Sequence, residues 1–138
     1  MEVKRGEFLL STAAAKLDIG VIHGYLSRSY WAKGISRELV GRSLRHSLNF
    51  GVYLGDEQVG FARVISDYTT FAYLADVFIL EPYRGRGLGK WLLEMVTSHP
   101  EVSGLRRWCL LTKDAHGLYE RYGFTGLAVP ERWMERSG

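Results

Sequence analysis

The stretch TFAYLADVFILEPYRGRGLGKWLLEMV, residues 70–96, decides the fold. Residues 70–80 are nearly all apolar and rich in aromatic and branched side chains, which predicts a central strand buried on both faces. Asp76 is the only charged residue of that strand. From Gly87 onwards, apolar residues recur with helical spacing, which predicts an amphipathic helix that Pro100 ends. The apolar face of this helix consists of Leu88, Trp91, Leu92, Met95 and Val96.

The loop between this strand and this helix combines glycines with cations. It is not a Walker loop, because Gly85 and Gly89 are one residue too close together and the lysine is followed by Trp91 rather than by Ser or Thr. It is not the dinucleotide fingerprint either, because GRGLG reads G-x-G-x-G rather than G-x-G-x-x-G. Both of these phosphate loops are therefore excluded.

General physics still makes the loop a candidate anion site. The N-terminus of a helix presents unpaired N–H groups and a partial positive charge, and glycines let a ligand approach the backbone closely. The side chains of Arg84, Arg86 and Lys90 add full positive charges. The loop is therefore predicted to hold a pyrophosphate, and the alternative is a glycine-rich turn whose cations are solvated.

Three further helices are predicted from capping residues. Asp18 is expected to cap a helix that runs to about Tyr30 or Trp31, and Ser36 is expected to cap a second helix. Near the end of the chain, Asp114 is expected to cap a short third helix. Side-chain oxygens at these positions can accept hydrogen bonds from the first free N–H groups of a helix.

Strands are predicted on both sides of the central one. FLLSTA, residues 8–13, reads as the first strand, and residues 49–55 and 58–65 alternate around a turn as an antiparallel hairpin does. RRWCLLT, residues 106–112, reads as a later strand, and WMER, residues 133–136, is expected to close the sheet.

The predicted order is strand, helix, helix, three strands, helix, strand, helix, strand, which is a mixed α/β arrangement. The strand, helix, strand unit across residues 71–112 requires a parallel strand pair with a right-handed crossover. With 138 residues, of which 46% are hydrophobic, the chain suits one core and leaves no room for a second domain. We expect a single domain over residues 1–138.

Composition limits the cellular context and the partners. No run approaches a membrane span, and the first residues lack the apolar core of a signal peptide, so we expect a cytoplasmic chain without a membrane partner. The single cysteine, Cys109, agrees with a reducing compartment. The surplus of 18 Lys and Arg over 15 Asp and Glu is mild and forms no basic block, so no nucleic-acid partner is expected. No metal site is expected either.

Two motifs resemble those of the GCN5-related N-acetyltransferase (GNAT) family. LEPYRGRGLGKWLL, residues 80–93, is similar to the family's acetyl-CoA signature R/Q-x-x-G-x-G/A, matched here by Arg84, Gly87 and Gly89. AHGLYERYGF, residues 115–124, is similar to a later motif around a tyrosine. The resemblance implies a single-domain GNAT-like fold, with a mixed, mostly antiparallel central sheet flanked by helices and a splayed parallel strand pair.

The resemblance implies acetyl-CoA as co-substrate and an acetyl transfer to a primary amine by direct attack in a ternary complex. The backbone of Phe78, Ile79 and Leu80 would pair with the pantetheine arm, and the N–H of Ile79 or Leu80 would stabilise the oxyanion. Thr112 stands where many members have an asparagine that meets this arm. The pyrophosphate would lie on Arg84, Gly85, Arg86, Gly87, Leu88, Gly89 and Lys90.

Two residues are candidates for acid–base catalysis. Asp76 would accept the proton of the amine, directly or through water, and the alternative is a structural carboxylate paired with Arg63. By the resemblance, Tyr119 would protonate the departing thiolate, and the alternative is a core tyrosine whose hydroxyl is satisfied. A noncatalytic acyl-CoA-binding or regulatory module on the same fold would keep the loop without needing either residue.

The acceptor is expected over the first two helices and the loop between them, as in the family. Tyr30 and Trp31 would form an aromatic wall there, and Glu38 would meet a cationic substrate. The alternative is an ordinary helix connection. A small amine, an amino acid and a protein N-terminus or lysine all remain open as acceptors, and exposed sheet edges leave a homodimer open.

Overall fold

The computed structural model describes residues 1–138, and its centre is a six-stranded sheet whose strands lie in chain order. Strands β1 to β5 pair antiparallel, whereas β5 and β6 are parallel. This confirms the mixed, mostly antiparallel sheet. The strands are β1 (Glu2–Arg5), β2 (Phe8–Ser11), β3 (Leu48–Leu54), β4 (Glu57–Ser66), β5 (Phe71–Ile79) and β6 (Arg107–Leu110).

Helices cover both faces of the sheet, as the α/β prediction requires. The helices are α1 (Ile19–Leu26), α2 (Arg37–Arg45), α3 (Leu88–Ser98) and α4 (His116–Glu120). The larger core joins α3 to one face of the sheet, and a smaller core joins α1 and α2 to Phe61 and Phe78 on the other face. None of these helices has the length and apolar character needed to cross a membrane.

Side-chain caps begin two helices where the sequence predicts them. Asp18 accepts a hydrogen bond from the Val21 N–H at 3.2 Å, and Ser36 accepts one from the Leu39 N–H at 3.2 Å. The third predicted cap is wrong: α4 begins after Ala115 without a side-chain cap, and Asp114 lies before it.

Helix α1 ends at Leu26, well before the predicted end at Tyr30 or Trp31. The cause is Ser29, whose hydroxyl donates to the Leu26 carbonyl at 2.7 Å and accepts from the Ala32 N–H at 3.1 Å. A serine side chain that bonds the local backbone competes with helical hydrogen bonds. Tyr30 and Trp31 therefore lie on a turn.

The sheet differs from the prediction at both edges. FLLSTA forms part of β2, and an additional strand, β1, precedes it. Sequence patterning missed β1 because its residues are mostly charged and exposed, as is common for an edge strand. Residues 133–136 do not close the sheet, because β6 is its last strand and Met134 is 96% exposed.

Strand β5 leaves its parallel partner midway along its length. It pairs with β6 only over Phe71–Leu74 and continues to Ile79 beside β4 alone. The register with β4 shifts opposite Asp76, whose φ of 57° is unusual for a residue other than glycine. The second half of β5 therefore borders a gap. The expectation of a strand buried on both faces is only partly met, because Ala72, Leu74 and Phe78 are buried whereas the other six residues of β5 are half-buried.

The antiparallel half of the sheet contains an unsatisfied tyrosine. The Tyr53 ring lies over Gly51, where an added Cβ would come within 2.6 Å of the ring. Its hydroxyl is buried and has no hydrogen-bond partner. Burial raises the pKa of Tyr53 to about 12, and the carboxylates of Asp18 and Glu2 add to the rise.

We predict that Tyr53→Phe reduces the loss of stability at alkaline pH. The raised pKa means that the folded state keeps this proton where the unfolded chain, with a pKa of about 10, has lost it. The contribution of the protonated Tyr53 hydroxyl to the free energy of unfolding is therefore complete below pH 10 and falls between pH 10 and 12. The difference between the two proteins in the free energy of unfolding by urea should reach at most about 3 kcal/mol. Identical pH dependence of the two unfolding free energies would contradict this account.

Candidate active site

The gap beside the second half of β5 exposes one side of its backbone. The Leu80 N–H donates to the Val59 carbonyl at 2.8 Å, and the Leu80 carbonyl accepts from the Tyr83 N–H at 2.9 Å. Because bonding directions alternate along an antiparallel ladder, Phe78 also faces β4 and Ile79 faces away from it. Of the two predicted oxyanion donors, Leu80 is thus already engaged, and Ile79 points its N–H toward the gap.

The glycine loop presents a row of free backbone donors at the start of α3. The N–H groups of residues 85–90 have no hydrogen-bond partner in the chain, and no side chain caps the helix. Gly85 and Gly87 have φ values of 79° and 77°, which other residues rarely adopt. The Arg84 N–H is not part of this row, because it donates to the Glu81 carbonyl at 3.2 Å.

The three cations of the loop differ in their surroundings. Arg84 donates from Nε to the Ile79 carbonyl at 2.9 Å and from Nη2 to the Tyr25 hydroxyl at 3.0 Å. Arg86 lies over the Tyr83 ring, 5.7 Å from its centroid. Arg86 and Lys90 are exposed, and neither forms an ion pair. Two full charges are therefore free to meet an anion at this loop.

Asp76 is surrounded by donors. Its Oδ2 accepts from Arg63 Nε at 2.7 Å, and its Oδ1 accepts from the Trp31 indole at 2.9 Å. The side chain of Asp76 is only 10% exposed. Arg63 also donates to the Ser47 hydroxyl at 3.1 Å. The pairing expected of a structural carboxylate is thus present, and the role of Asp76 as a base stays a prediction.

Aromatic residues form a continuous wall beside Asp76. Tyr25 stacks on Phe78 with a centroid distance of 4.1 Å, and Trp31 lies 6.2 Å from Tyr25. Tyr30 meets Trp31 edge-on at 5.1 Å. Tyr30 and Trp31 are 57% and 41% exposed, so the outer end of the wall is open to a ligand. The wall comprises Phe78, Tyr25, Trp31 and Tyr30.

Sequence reasoning missed Tyr25 as a member of this wall. Its position three residues after Ile22, on a predicted helix, was the available signal. Glu38 was expected near the acceptor, but its carboxylate accepts from Arg42 one helical turn away at 3.3 Å, on an exposed face of α2. No hydrogen bond or ion pair joins Glu38 to the aromatic wall.

Tyr119 and Thr112 come from the other side of the gap, after β6. The Tyr119 hydroxyl makes no hydrogen bond within the chain, and burial raises its pKa to about 12, with Tyr30 and Asp114 adding to the rise. The Thr112 hydroxyl accepts from the Ala115 N–H at 3.1 Å. The Lys113 N–H donates to the Tyr30 hydroxyl at 2.9 Å, which ties this segment to the aromatic wall.

Several known proteins that resemble this chain in sequence and structure are acetyltransferases by name. The acetyltransferase (GNAT) domain family matches residues 45–126. A "putative acetyltransferase" of Gibberella zeae is 34% identical, over 83% of this chain and 77% of that protein. The crystal structure of a "putative acetyltransferase belonging to the gnat family" from Xanthomonas campestris is 54% identical, covers 95% of this chain and 93% of its own, and superposes with a TM-score of 0.93.

A more distant structure adds agreement in fold alone. It is a predicted acetyltransferase of Clostridium acetobutylicum, determined with acetyl-CoA, at 15% identity and a TM-score of 0.70 over 94% of this chain and 96% of its own. The match over residues 45–126, the relatives in sequence and the shared fold make this chain a member of the GNAT acetyltransferase family.

Proposed function

We propose that the chain is an acetyl-CoA-dependent N-acetyltransferase that moves the acetyl group to a primary amine by direct attack in a ternary complex. The observation that carries this proposal is the unpaired N–H of Ile79 on the open edge of β5, beside the row of unpaired N–H groups at residues 85–90. A ligand that combines a pyrophosphate with an extended, amide-bearing arm can span both. Acetyl-CoA has this chemistry and supplies an activated acetyl thioester.

The loop residues suit the pyrophosphate because their donors are preorganised. Free N–H groups at a helix start and the positive end of the helix dipole favour an anion without rearrangement. Arg86 and Lys90 add charge that no carboxylate in the chain neutralises. On β5, the Ile79 N–H can take part in strand-like pairing with the pantetheine arm or donate to the thioester oxygen.

Tyr119 is assigned the role of donor to the departing sulfur. With a pKa of about 12, its hydroxyl keeps its proton throughout the neutral range. An ordinary thiol has a pKa of about 8.5, so complete proton transfer from Tyr119 to a free thiolate is uphill. Tyr119 therefore acts first as a hydrogen-bond donor while the carbon–sulfur bond breaks. Its lack of any partner in the chain leaves the hydroxyl available for this contact.

Asp76 is the proposed base for the amine. Arg63 and Trp31 each occupy one of its oxygens, but a carboxylate offers about four acceptor positions. An amine held against the aromatic wall can pass its proton to a remaining position, directly or through water. In this proposal, the region that holds the amine next to Asp76 is also lined by Thr112, Tyr30 and Trp31.

The charge pattern favours some acceptors over others. Arg63 compensates Asp76, Arg42 compensates Glu38, and Lys113 lies 5.4 Å from the centroid of the Tyr30 ring. This side therefore offers no excess of negative charge to a polyamine. A small-molecule or peptide monoamine fits better.

A second candidate function is a noncatalytic acyl-CoA-binding module. The hydrogen bonds of Asp76 with Arg63 and Trp31 favour it, because they give both carboxylate oxygens a structural role without any catalysis. The two functions differ in whether any amine is acetylated at a rate that depends on Tyr119 and Asp76.

Coenzyme binding is tested with Gly87→Glu, whose carboxylate would lie among the phosphate donors. We predict that the Kd for acetyl-CoA rises roughly tenfold or more in calorimetric titration. Gly104→Glu is the matched control, because Gly104 has a φ of 79° close to the 77° of Gly87, and an added Cβ has open space at both positions. Backbone strain and added charge are the same there. Equal loss of affinity in both variants would argue against a phosphate site at the loop.

Tyr119→Phe is predicted to lower kcat by about 10- to 100-fold, since one transition-state hydrogen bond to sulfur is lost. The Kd for acetyl-CoA should stay within about twofold, because ground-state binding does not need this bond. The loss should be constant from pH 6 to 9, since the phenol does not titrate there. The assay uses the best acceptor found in a panel of monoamines, polyamines and peptides. Unchanged kcat would remove Tyr119 from the mechanism.

Asp76→Asn distinguishes a base from a structural carboxylate. If Asp76 is the base, kcat/KM should fall by about 100-fold or more and the acidic limb of its pH profile should change. The substitution also leaves Arg63 without its partner, so the free energy of unfolding should fall by about 2–4 kcal/mol. A lower stability with an unchanged pH profile would assign Asp76 a structural role only.

A further inference from the structure

The side chain of Arg84 makes two hydrogen bonds within the protein that phosphate binding does not require. It belongs to the loop, yet its guanidinium joins the carbonyl of Ile79, at the end of β5, to the hydroxyl of Tyr25 in α1. A planar guanidinium holds two acceptors in a fixed relative geometry, and the flexible, point-like ammonium of lysine does not. The contact therefore fixes the strand end and the helix relative to each other.

Tyr25 extends this connection to the acceptor side. It stacks on Phe78 with an angle of 11° between the ring planes and lies beside Trp31, which donates to Asp76. Direct contacts therefore lead from the phosphate loop through the aromatic wall to Asp76. Anything that displaces Arg84 would loosen Tyr25 and the Ile79 peptide together.

We propose that Arg84 is a positioning residue, whose guanidinium holds the free edge of β5 and the aromatic wall in place and is not a ligand of the pyrophosphate. The phosphates are left to the N–H groups of residues 85–90 and to Arg86 and Lys90. The inference rests on the proposed function, because it concerns how acetyl-CoA is held. The cations of the loop thus have different roles: Arg84 holds neighbouring elements in place, whereas Arg86 and Lys90 meet the phosphates.

The test compares acetyl-CoA with S-acetylpantetheine, which has the same arm and thioester but no nucleotide diphosphate. If Arg84 positions β5, Arg84→Gln weakens both ligands by the same factor, roughly three- to tenfold. Calorimetry gives the Kd for acetyl-CoA, and ligand-observed NMR gives the Kd for the weaker ligand. Thermal unfolding monitors the fold of each variant.

Three further single variants and one double variant separate geometry from charge. Arg84→Lys should resemble Arg84→Gln, because an ammonium keeps the charge and loses the fork. Tyr25→Phe, a milder change, should weaken the binding of both ligands. Combined with Arg84→Gln it should add little to the loss of affinity, because both substitutions remove the same contact. Arg86→Gln is the comparison within the loop and should weaken acetyl-CoA alone.

The opposite pattern would overturn the inference. A loss in Arg84→Gln confined to acetyl-CoA, or full affinity in Arg84→Lys, would make Arg84 a phosphate ligand while leaving the proposed function intact. An unchanged affinity for both ligands in Tyr25→Phe would show that the contact with α1 does not matter. A wild-type protein that binds neither ligand would overturn the proposed function and this inference with it.

Discussion

The parting of β5 from β6 is the constraint on which the rest of the site depends. The two strands are parallel neighbours over Phe71–Leu74, and beyond that point β5 follows β4 alone. The change occurs where the register shifts opposite Asp76, in a conformation that residues other than glycine seldom adopt. A regular sheet would have satisfied the Ile79 N–H with β6, and the free edge would not exist.

The strain at Asp76 is held by contacts from several elements. Arg63 on β4 and Trp31 on the turn after α1 both donate to its carboxylate. Strained residues persist where the surrounding structure determines their conformation. The same carboxylate that is the candidate base therefore also stabilises the bulge. Because Asp76 is a structural carboxylate as well as the candidate base, loss of stability and loss of activity have to be measured separately in its variants.

Much of the fold was predictable because the sequence carries local signals for it. The hairpin of β3 and β4, the caps Asp18 and Ser36 and the helix after the glycine loop follow directly from residue type and spacing. The glycine loop was predictable in its place between β5 and α3. The free row of N–H groups at residues 85–90 is what glycines followed by a helix should produce.

The remaining features depend on contacts between distant residues. Ser29 ends α1 early through bonds with its own turn, which periodicity does not reveal. The sequence of β1 is too polar to indicate a strand, and β1 is a strand only because it pairs with β2. The bonds of Arg84 with Tyr25 and of Trp31 with Asp76 join residues far apart in the chain, and only the folded structure brings them together.

A crystal structure of the protein with acetyl-CoA would test the central claim most directly. Our account predicts the pantetheine arm along the free edge of β5, with the thioester oxygen within hydrogen-bond distance of the Ile79 N–H, and the pyrophosphate on the N–H groups of residues 85–90. The sulfur should lie near the Tyr119 hydroxyl. A coenzyme bound elsewhere, or an arm that leaves the Ile79 edge empty, would contradict it.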